Sequence, residues 1–372
     1  MRRVLFLRSN PIDPDPRVEK EATALAEAGY EVRVLGWDRT AKLPREEVKP
    51  FGLVERIPIQ ARFGAGLGNL PALLRFQVAL ASYLVRQKRS YDVIHACDFD
   101  TAFTAFLVGR LLGKRVVYDV FDFYAEMLRN TPAWVREVIR LVDLRLMGRV
   151  DALIIADDAR KEQIRGARPK RLVVIYNTPD IPSPPPLPED PPPLRIAYVG
   201  QLQIERGILE VLEVLKRHPE WELDLAGFGG DEAPILEKVK GMPNVRFHGK
   251  VPYEKALELM AGAHVLFATY DPAIPNHRYS SANKLFEAMA LGRPVLVARG
   301  TGMDKIVESE KIGFVVDYGD TNQLETALQE VFFWTREKRE EFKHRSRRVY
   351  ESKFSWSISK DKLKKLYSEL FG

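Results

Sequence analysis

The sequence predicts an α/β protein built from two doubly wound, Rossmann-like domains. Three observations lead to this prediction: strand and helix patterns alternate in both halves of the chain, several strands are apolar throughout, and a proline-rich segment separates the halves. Residues 116–118 and 153–155 are examples of such apolar strands. A strand that is covered on both faces has this composition, so each half should contain a parallel sheet with helices on either side.

The first half starts with a strand at residues 3–7 and a helix at 16–28, which Gly29 ends. Apolar runs predict further strands at 31–35, 53–57, 91–95, 115–119, 151–156 and 171–176. Apolar residues at helical spacing predict helices at 70–87, 101–112, 124–147 and 159–165. Strands that alternate with helices in this way indicate parallel pairing through crossover connections.

The segment 179–193 holds nine prolines in fifteen residues. Such a segment is stiff and extended and cannot build a core of its own. We therefore predict a first domain at 1–178, a linker at 179–193, a second domain at 194–352 and a terminal segment at 353–372.

The second half repeats the alternation. Strands are predicted at 195–199, 221–226, 245–248, 264–268, 295–298 and 313–316. Helices are predicted at 208–217, 253–261, 322–333, 336–350 and 357–370. Ligands bind at the carboxyl ends of strands in such sheets, so we expect the site in a cleft where the two domains face each other.

The composition excludes several classes of protein. The chain has 372 residues, of which 45% are hydrophobic and 29% charged, as in ordinary globular proteins. Its one cysteine, Cys97, excludes a disulfide framework and a thiolate zinc site and fits a reducing compartment. No apolar run reaches the ~18 residues that span a bilayer. Arg8 and Pro11 interrupt the first apolar run, which we interpret as a buried strand and not as a signal peptide.

Positive charge is concentrated in the first half. Residues 1–178 carry 30 Lys and Arg against 22 Asp and Glu, a net charge of +8, whereas the remainder has a net charge of −2. This asymmetry suggests an anionic partner such as a membrane surface. The alternative is a charge-rich surface without a partner. Nucleic acid is the weakest candidate, because the excess is modest and no recognised binding module is present.

The stretch Ser280–Pro294 is the most informative part of the sequence. It is predicted to be a loop that enters a helix, with Ser280, Ser281 and Asn283 as potential capping residues. Lys284 and Glu287 lie three residues apart in the first turns of this otherwise apolar helix. A helix start with a lysine suits a phosphate, and a carboxylate one turn later can accept hydrogen bonds from ribose hydroxyls. The alternative is an exposed ion pair between the two side chains.

Two other polar features follow predicted strands of the second half. The turn 200–207 carries Arg206 beside a helix start, and the loop 227–230 contains three glycines that allow a ligand close to the backbone. The loop does not complete a dinucleotide-binding fingerprint and is equally consistent with a simple turn. Two cations and two helix starts at one edge suggest a diphosphate, and Glu287 beside them suggests a ribose. The sequence therefore predicts a nucleoside-diphosphate site.

These residues resemble the donor domain of group 1 (family-4) glycosyltransferases of the GT-B fold. The resemblance rests on Val199-Gly200, Arg206-Gly207, Gly227-x-Gly229, residues 244–249 and, most specifically, Ala282–Val295. The first half resembles the acceptor domain of the family in order and spacing, at residues 15–18, 29–32, 92–96, 118–119 and 177. Residues 354–356 resemble the start of a helix that crosses back to the first domain in this family.

The resemblance implies retaining transfer of a sugar from a nucleotide-diphosphate sugar, with neither a metal nor another cofactor. It implies catalytic roles for Arg206, Lys284 and Asp122. The implied donor contacts are Gly200, Arg206, Ser281, Asn283 and Lys284 for the diphosphate, Glu287 for the ribose, Gly227 and Gly229 in the donor loop, and His248 and Val251 beside the base. On the acceptor side they are Asn10, Arg17, His95 and Phe121, although a structural role for His95 is an equal alternative.

The sequence departs from the family pattern at three positions. Tyr279 stands where the family has the first glutamate of its Glu-x7-Glu motif, which contacts the donor sugar, and Glu287 matches the second glutamate. Gln201 replaces a frequent cation beside the diphosphate. Phe121 replaces a histidine of the acceptor domain, where Asp122 is the remaining polar residue. The sequence therefore lacks the glutamate that contacts the donor sugar in the family and the histidine of the family's acceptor domain.

The expected partners are a nucleotide-sugar donor and a glycan or lipid-linked acceptor of cell-surface glycan synthesis. The helices at 70–89 and 124–149 combine arginines, Arg129 and Arg136 among them, with an apolar face that includes Trp134, Val138, Ile139, Val142 and Leu146. Such helices can lie on anionic lipid, which predicts a cytoplasmic protein attached to the inner face of the membrane. Alternatively, the apolar faces pack on the sheet and the arginines are solvated.

Two other functions fit the same sequence. A sugar-nucleotide epimerase or a phosphorylase of this fold is one, although an epimerase requires acid and base groups around the sugar, where Tyr279 stands. A catalytically silent protein that binds nucleotides or glycans is the other, supported by Phe121, Gln201 and Tyr279.

Overall fold

The computed structural model describes residues 2–61, 66–128, 131–279 and 281–371. Of the residues singled out above, Arg129 and Ser280 lie outside these ranges. The chain divides into two compact units, one formed by residues 1–177 with 357–372 and the other by 178–356.

The first unit is built on an eight-stranded sheet. Its strands are β1 (Arg3–Arg8), β2 (Glu31–Asp38), β3 (Glu46–Lys49), β4 (Gly52–Pro58), β5 (Val93–Cys97), β6 (Arg115–Val120), β7 (Ala152–Ile155) and β8 (Leu172–Val174). They are ordered β3-β4-β2-β1-β5-β6-β7-β8. All neighbouring strands pair in parallel except β3 and β4, which are antiparallel. The short edge strand β3 was not predicted, because Glu46-Glu47-Val48-Lys49 has only one apolar residue.

Helices connect the parallel strands of this sheet. They are α1 (Pro16–Glu27), α2 (Leu70–Arg86), α3 (Phe99–Leu111), α4 (Tyr124–Met127), α5 (Ala133–Met147) and α6 (Arg160–Gln163). The prediction of one long helix at 124–147 was wrong. Pro132 precedes α5, and a proline has no N–H to continue a helix and disfavours the helical conformation of the residue before it.

Three of these helices cover one face of the sheet. Phe76 of α2, Ala105 of α3 and Leu144 of α5 belong to a single buried core with Leu5 of β1 and Tyr118 of β6. α3 contacts both α2 and α5, so the three helices form one layer with α3 in the middle.

The second unit contains a six-stranded parallel sheet. Its strands are β9 (Arg195–Gln201), β10 (Glu222–Phe228), β11 (Val245–Gly249), β12 (Val265–Ala268), β13 (Val295–Ala298) and β14 (Gly313–Val316). They are ordered β11-β10-β9-β12-β13-β14. The chain moves outward in one direction from β9 to β11 and in the other from β12 to β14. The loops after β9 and β12 therefore flank the topological switch point, where sheets of this kind bind ligands.

Three helices of the second unit were not predicted, those at residues 232–239, 275–278 and 303–310. The full set is α7 (Ile208–Arg217), α8 (Glu232–Val239), α9 (Tyr253–Gly262), α10 (Pro275–Arg278), α11 (Asn283–Leu291), α12 (Met303–Glu310), α13 (Thr321–Phe332) and α14 (Arg336–Val349). All three unpredicted helices are short, and only a few of their residues are buried, so they carry a weak apolar pattern.

The proline-rich segment packs along the second unit. The carbonyl of Pro186 accepts a hydrogen bond from Arg293 at 2.7 Å, and the carbonyl of Pro179 accepts one from the Tyr350 hydroxyl at 2.6 Å. Arg347 donates to the carbonyls of Ile181 and Pro182, both at 2.8 Å. Prolines have no N–H to donate, so the segment is held through its carbonyls by donors of the second unit.

The last helix, α15 (Trp356–Phe371), belongs with the first unit from Ser357 onward. Leu363, Leu366, Tyr367 and Leu370 are buried there. This confirms the prediction that the C-terminal helix crosses back to the first domain. Among the described residues, no helix is both long enough and apolar enough to cross a bilayer.

Candidate functional site

Arg206 and Lys284 meet at the switch point of the second sheet. Arg206 ends a short 3-10 turn after β9, and Lys284 lies in the first turn of α11. Both donate to the hydroxyl oxygen of Tyr270, which follows β12: Arg206 Nη1 at 2.8 Å and Lys284 Nζ at 3.3 Å. The two cations predicted from separate motifs therefore lie side by side at the carboxyl edge of the sheet.

The surroundings of these cations contain mainly neutral groups. Lys284 is buried, and its Nζ lies 4.3 Å from the ring centroid of Tyr198. Arg206 also donates to the side-chain oxygens of Gln203 at 2.7 Å and Gln201 at 3.3 Å. Neutral oxygens leave the positive charge of both groups available to an anionic ligand.

The positive field is visible in the pKa of Tyr270. Burial by itself would raise the pKa of this phenol, but Lys284 and Arg206 outweigh burial and lower it below the usual value. Because the oxygen accepts two hydrogen bonds from cations, the O–H proton of Tyr270 is a strengthened donor. Tyr270 can thus act with the cations on one phosphate oxygen. Sequence reasoning missed this residue, although its position just after a buried strand was a usable signal.

Two glycines permit the close approaches at this edge. A side chain at Gly200 would bring its Cβ within 2.7 Å of Lys284 Nζ, so only glycine leaves the ammonium in place. Gly207 has a left-handed φ of +73°, and a Cβ there would lie 1.9 Å from Thr269 Oγ1. Both predicted glycines therefore shape the site through the absence of a side chain.

The start of α11 has no side-chain cap. The N-cap residue is Ala282, whose methyl group cannot accept a hydrogen bond, and not one of the polar residues expected to cap. Ser281 and Asn283 flank this position. The N-terminus of a helix attracts anions through its N–H groups and its dipole, so α11 adds a third source of positive potential beside Lys284 and Arg206.

Glu287 lies one turn further along α11 and is buried. The hydroxyl of Tyr253, at the start of α9, donates to Glu287 Oε1 at 3.3 Å. Burial and then the neighbouring Glu287 raise the pKa of Tyr253, so this phenol stays a donor. One carboxylate oxygen is thus oriented by Tyr253, in a position close to the predicted diphosphate site.

The residues predicted beside the base lie at β11. His248 Nε2 is 2.7 Å from Asp224 Oδ1, and Asp224 also accepts from Arg246. Burial raises the pKa of Asp224, but the hydrogen bonds and charges of Arg246 and His248 lower it by a larger amount, so the pKa lies below its usual value. The His248 ring therefore already has a protein partner, and Val251 lies two residues beyond the end of β11. In the donor loop, Gly227 lies in β10 and Gly229 N donates to Glu232 Oε2 at 3.1 Å.

The expectation that Arg17 and His95 face an acceptor is not supported by their positions. Arg17 is buried and forms a bidentate pair with Asp119, with Nε and Nη2 at 3.1 and 2.8 Å from the two carboxylate oxygens. His95 has no exposed surface, and its Nδ1 lies 2.8 Å from the Tyr367 hydroxyl of α15. Burial lowers the pKa of His95. Both residues stabilise the interior of the first unit, which is the structural alternative for His95.

Cys97 lies in the same buried region. A ligand atom of Cys97 lies within 4.8 Å of ligand atoms of His95 and Asp119, a grouping that resembles a metal site. Arg17 already supplies a cation to the Asp119 carboxylate, and burial raises the pKa of the Cys97 thiol well above its usual value. A protonated thiol and an occupied carboxylate do not fit a metal ion.

The other predicted acceptor-side residues lie near the carboxyl ends of β1 and β6. Asn10 donates to Asp15 Oδ2 at 2.7 Å, and Asp122 accepts from the buried Arg160 at 2.7 Å. The centroid of the Phe121 ring lies 4.2 Å from the Arg8 guanidinium carbon. The backbone N–H of Phe121 donates to Asp98 Oδ1 at 2.9 Å. Asp98 was not selected from the sequence and has an unusual backbone, with φ +63° and ψ 164°. A strained residue of this kind often marks a functional edge.

Family models match both units. Residues 193–332 match the model described as "Glycosyl transferases group 1", and residues 14–178 match a "Glycosyl transferase 4-like domain". The chain belongs to the group 1 glycosyltransferases. This confirms the predicted family, and with it the class of transferase enzymes.

Individual relatives of this group 1 glycosyltransferase agree with that result. The D-inositol 3-phosphate glycosyltransferase of Corynebacterium jeikeium is 29% identical over 189 residues, 47% of this chain and 43% of the relative. The match thus spans less than half the length of that relative. Sucrose-phosphate synthase from Thermosynechococcus elongatus has a similar fold, with a TM-score of 0.79 and 18% identity over 100% of this chain and 99% of the other.

Anabaena HepE, solved in complex with UDP and glucose, has a TM-score of 0.71 and 16% identity over 99% of this chain and 100% of the other. These similarities confirm the predicted fold, two Rossmann-like α/β units of the GT-B class.

Proposed function

We propose that this chain is a retaining glycosyltransferase that transfers a sugar from a nucleotide-diphosphate sugar without a metal ion. The observation that carries the proposal is the pair of cations on Tyr270, Arg206 at 2.8 Å and Lys284 at 3.3 Å, beside the uncapped start of α11. This arrangement suits a diphosphate. The solved HepE complex with UDP supports a nucleotide donor by analogy.

The chemistry follows from where charge develops. When the bond between the sugar and the diphosphate breaks, the nucleoside diphosphate gains negative charge as it leaves. Arg206, Lys284 and the N–H groups of α11 are fixed before the reaction, so they stabilise this charge without reorganisation. Their combined positive charge takes the place that a divalent cation has in metal-dependent transferases. Retention of configuration is inferred from the family resemblance.

Glu287 completes the donor site in this proposal. Its carboxylate is buried one turn beyond Lys284, and Tyr253 orients Oε1. A carboxylate can accept hydrogen bonds from the two adjacent hydroxyls of a ribose. The site then distinguishes ribonucleotides from deoxyribonucleotides.

We further propose a glycan or lipid-linked acceptor of cell-surface glycan synthesis, bound by the first unit, and a cytoplasmic protein attached to the inner face of a membrane. The net charge of +8 over residues 1–178 supports an anionic partner for this part of the chain. The similarity to a D-inositol 3-phosphate glycosyltransferase makes a small phosphorylated acceptor the alternative to test.

A thermal-shift panel tests the donor site first. UDP, GDP, ADP, dTDP and CMP are compared at 1 mM, each with EDTA and with magnesium or manganese. Micromolar affinity should stabilise the fold by about 4 kcal/mol. We expect one diphosphate to stabilise the protein equally with and without metal. The exposed Lys305→Ala variant should respond like the wild type, and Lys284→Ala should respond weakly.

Turnover is measured next, as release of the nucleoside diphosphate from the sugar donor that shares the selected base. Release that depends on Lys284 supports the transferase. Nucleotide binding without release, with or without acceptors, would favour the silent binding protein. A shift that requires a metal would contradict the metal-independent mechanism.

A further inference from the structure

The outer faces of α2, α3 and α5 carry most of the exposed large apolar side chains among the described residues. They are Leu70, Leu74, Val78 and Val85 on α2, Phe103, Leu107 and Leu111 on α3, and Trp134, Val138 and Leu141 on α5. Leu111, Trp134 and Val78 are 86%, 73% and 71% exposed. A soluble protein rarely leaves such residues in water together unless the surface binds something.

These side chains form one surface because of the fold beneath them. The inner faces of the three helices share a single core with the sheet, so their outer faces point away from it in the same direction. The residues also follow helical spacing: 103, 107 and 111 on α3, and 134, 138 and 141 on α5. We call this set of ten residues the apolar face.

The apolar residues that the sequence placed on one side of the segment 124–149 are divided between the surface and the core. Trp134 and Val138 are exposed and belong to the apolar face, but Leu146 is buried in the core. The stripe on α3 was not predicted at all. The exposed apolar residues of α3 alternate with small buried residues. Most positions of this helix are therefore apolar in the sequence, and the pattern does not indicate which side faces solvent.

Arginines surround the apolar face with few acidic residues. α2 contains no Asp or Glu, and Arg75, Arg86, Arg110 and Arg145 are exposed on the three helices. The acidic residues of α3 and α5 are Asp100, Glu137 and Asp143. Asp143 is buried and Glu137 pairs with Arg140, with Arg140 Nη2 at 2.6 Å from Glu137 Oε1. The surface is therefore both apolar and strongly positive.

We propose that the apolar face is a docking surface for an anionic phospholipid bilayer, with Trp134, Leu111 and Val78 entering the level of the headgroups. Apolar side chains then leave water, and the arginines contact lipid phosphates. The proposed function supplies the reason for such a surface, which is access to a lipid-linked acceptor, and the inference rests on it in this respect alone. Binding itself requires no sugar transfer.

Charge favours lipid over a second copy of the chain. A two-fold dimer places the same patch of both subunits face to face, so the arginines of the apolar face would oppose each other. An anionic bilayer offers the complementary charge instead. Self-association through the apolar face is accordingly an outcome that would overturn the proposal.

Trp134 provides a direct spectroscopic probe. The other four tryptophans, Trp37, Trp221, Trp334 and Trp356, are buried. Vesicles of phosphatidylcholine and phosphatidylglycerol in equal parts should therefore shift the emission of Trp134 to shorter wavelength, whereas pure phosphatidylcholine should shift it much less. A Trp134→Phe variant should lose the shift and still float with the vesicles. Unchanged wild-type emission with the anionic vesicles would overturn the proposal.

Flotation with matched variants tests the two components of the surface. Leu107→Ser with Leu111→Ser should weaken binding roughly ten-fold or more, because two apolar side chains no longer leave water. Val48→Ser with Phe333→Ser is the control, since these residues are 84% and 77% exposed outside the apolar face. Equal losses in both pairs would contradict a specific surface.

Charge is tested with Arg75→Glu and Arg110→Glu together. Each basic residue near an anionic membrane contributes about 1 kcal/mol to binding, or about five-fold in affinity. The two substitutions together should therefore weaken binding roughly twenty-fold or more. Lys42→Glu with Arg45→Glu makes the same change in net charge at exposed positions outside the three helices and should have little effect.

Two further measurements separate the explanations. Lys284→Ala should float with the vesicles like the wild type, because membrane binding does not require the donor site. A wrong assignment of the donor site would show in the turnover measurements and would leave flotation unchanged. Light scattering during gel filtration decides on self-association. A dimer in the wild type that Trp134→Ser abolishes would assign the apolar face to a second copy and reject the bilayer.

Discussion

Lys284 Nζ lies 3.3 Å from the hydroxyl oxygen of Tyr270, although the two residues are fourteen positions apart in the chain. The contact joins the start of α11 to the loop after β12, and Arg206 reaches the same oxygen from the loop after β9. Three separate segments thus place two cations and one phenol at the switch point of a parallel sheet.

Lys284→Met should lower the rate of sugar transfer on the order of a hundred-fold, the usual effect of removing one preorganised charged group. Because Lys284 is buried, we expect Lys284→Ala also to lower the melting temperature by leaving a cavity, whereas Lys284→Met fills the space. Initial rates and melting temperatures of both variants are compared with Lys305→Ala. Wild-type turnover in Lys284→Met would refute the assignment.

Tyr270→Phe removes the oxygen that both cations contact. We expect roughly a ten-fold loss in kcat, smaller than for Lys284, because the cations remain but lose their common partner. The variant should also bind the diphosphate more weakly, as measured by calorimetry. If kcat and affinity are unchanged, the hydroxyl has only a structural role.

Glu287→Ala should also lower the rate on the order of a hundred-fold, but through the ribose and not through the phosphates. The diagnostic measurement compares a nucleoside diphosphate with its 2′-deoxy form. The wild type should bind the ribonucleotide more tightly, and Glu287→Ala should bind both alike. Discrimination that survives the substitution would place the ribose elsewhere.

Tyr367→Phe should destabilise the first unit by about 1 kcal/mol, because the hydroxyl bonds to the buried Nδ1 of His95 at 2.8 Å. Tyr367 belongs to the first unit and the proposed donor residues to the second, so kcat per folded molecule should be unchanged. Urea unfolding provides the measurement. An unaltered midpoint would show that the hydrogen bond contributes nothing to holding α15.

Asp143→Asn should change how stability depends on pH. Burial raises the pKa of Asp143 to about 7, while Tyr118 donates to Oδ1 at 3.0 Å and opposes this shift. Between the ordinary pKa near 4 and about 7, the folded protein binds the extra proton. The contribution of Asp143 to stability is therefore complete below about pH 4 and is lost as the pH rises through 7.

The asparagine variant does not titrate, so its unfolding free energy relative to the wild type should rise between pH 5 and 8. The upper limit is roughly 4 kcal/mol for a pKa displaced from about 4 to about 7. Denaturant unfolding at several pH values measures the difference. Asp158→Asn, at an exposed position, is the control. Parallel pH profiles for Asp143→Asn and the wild type would contradict the prediction.

Much of the fold could be read from the sequence because the periodic pattern of apolar residues is a local property. The buried runs of β12 and β13 and the amphipathic α7 leave a clear record. The pattern failed where local signals were weak or competing. β3 is an exposed polar edge strand, and Pro132 separates α4 from α5 inside a segment that is otherwise helical in pattern.

The sequence also determined the chemical character of the proposed donor site. Arg206, Lys284 and Glu287 could be selected because polar residues at strand ends and helix starts are informative by position alone. The choice of capping residue could not be predicted, since Ala282 occupies the cap through the path of the loop and not through its side chain.

Tertiary structure alone decided which polar residues are exposed and which are buried. His95 and Arg17 follow the same positional rules as Lys284 and Arg206, yet the Asp119 carboxylate pairs with Arg17 and the Tyr367 hydroxyl contacts His95. Lys284 and Arg206 instead share the Tyr270 hydroxyl, which carries no full charge. Likewise, only the packing of α2, α3 and α5 on one sheet face shows that Leu107 and Trp134 point to solvent. Local sequence determines which elements form. The side of each element that is buried depends on neighbours distant in the chain, and no local pattern records them.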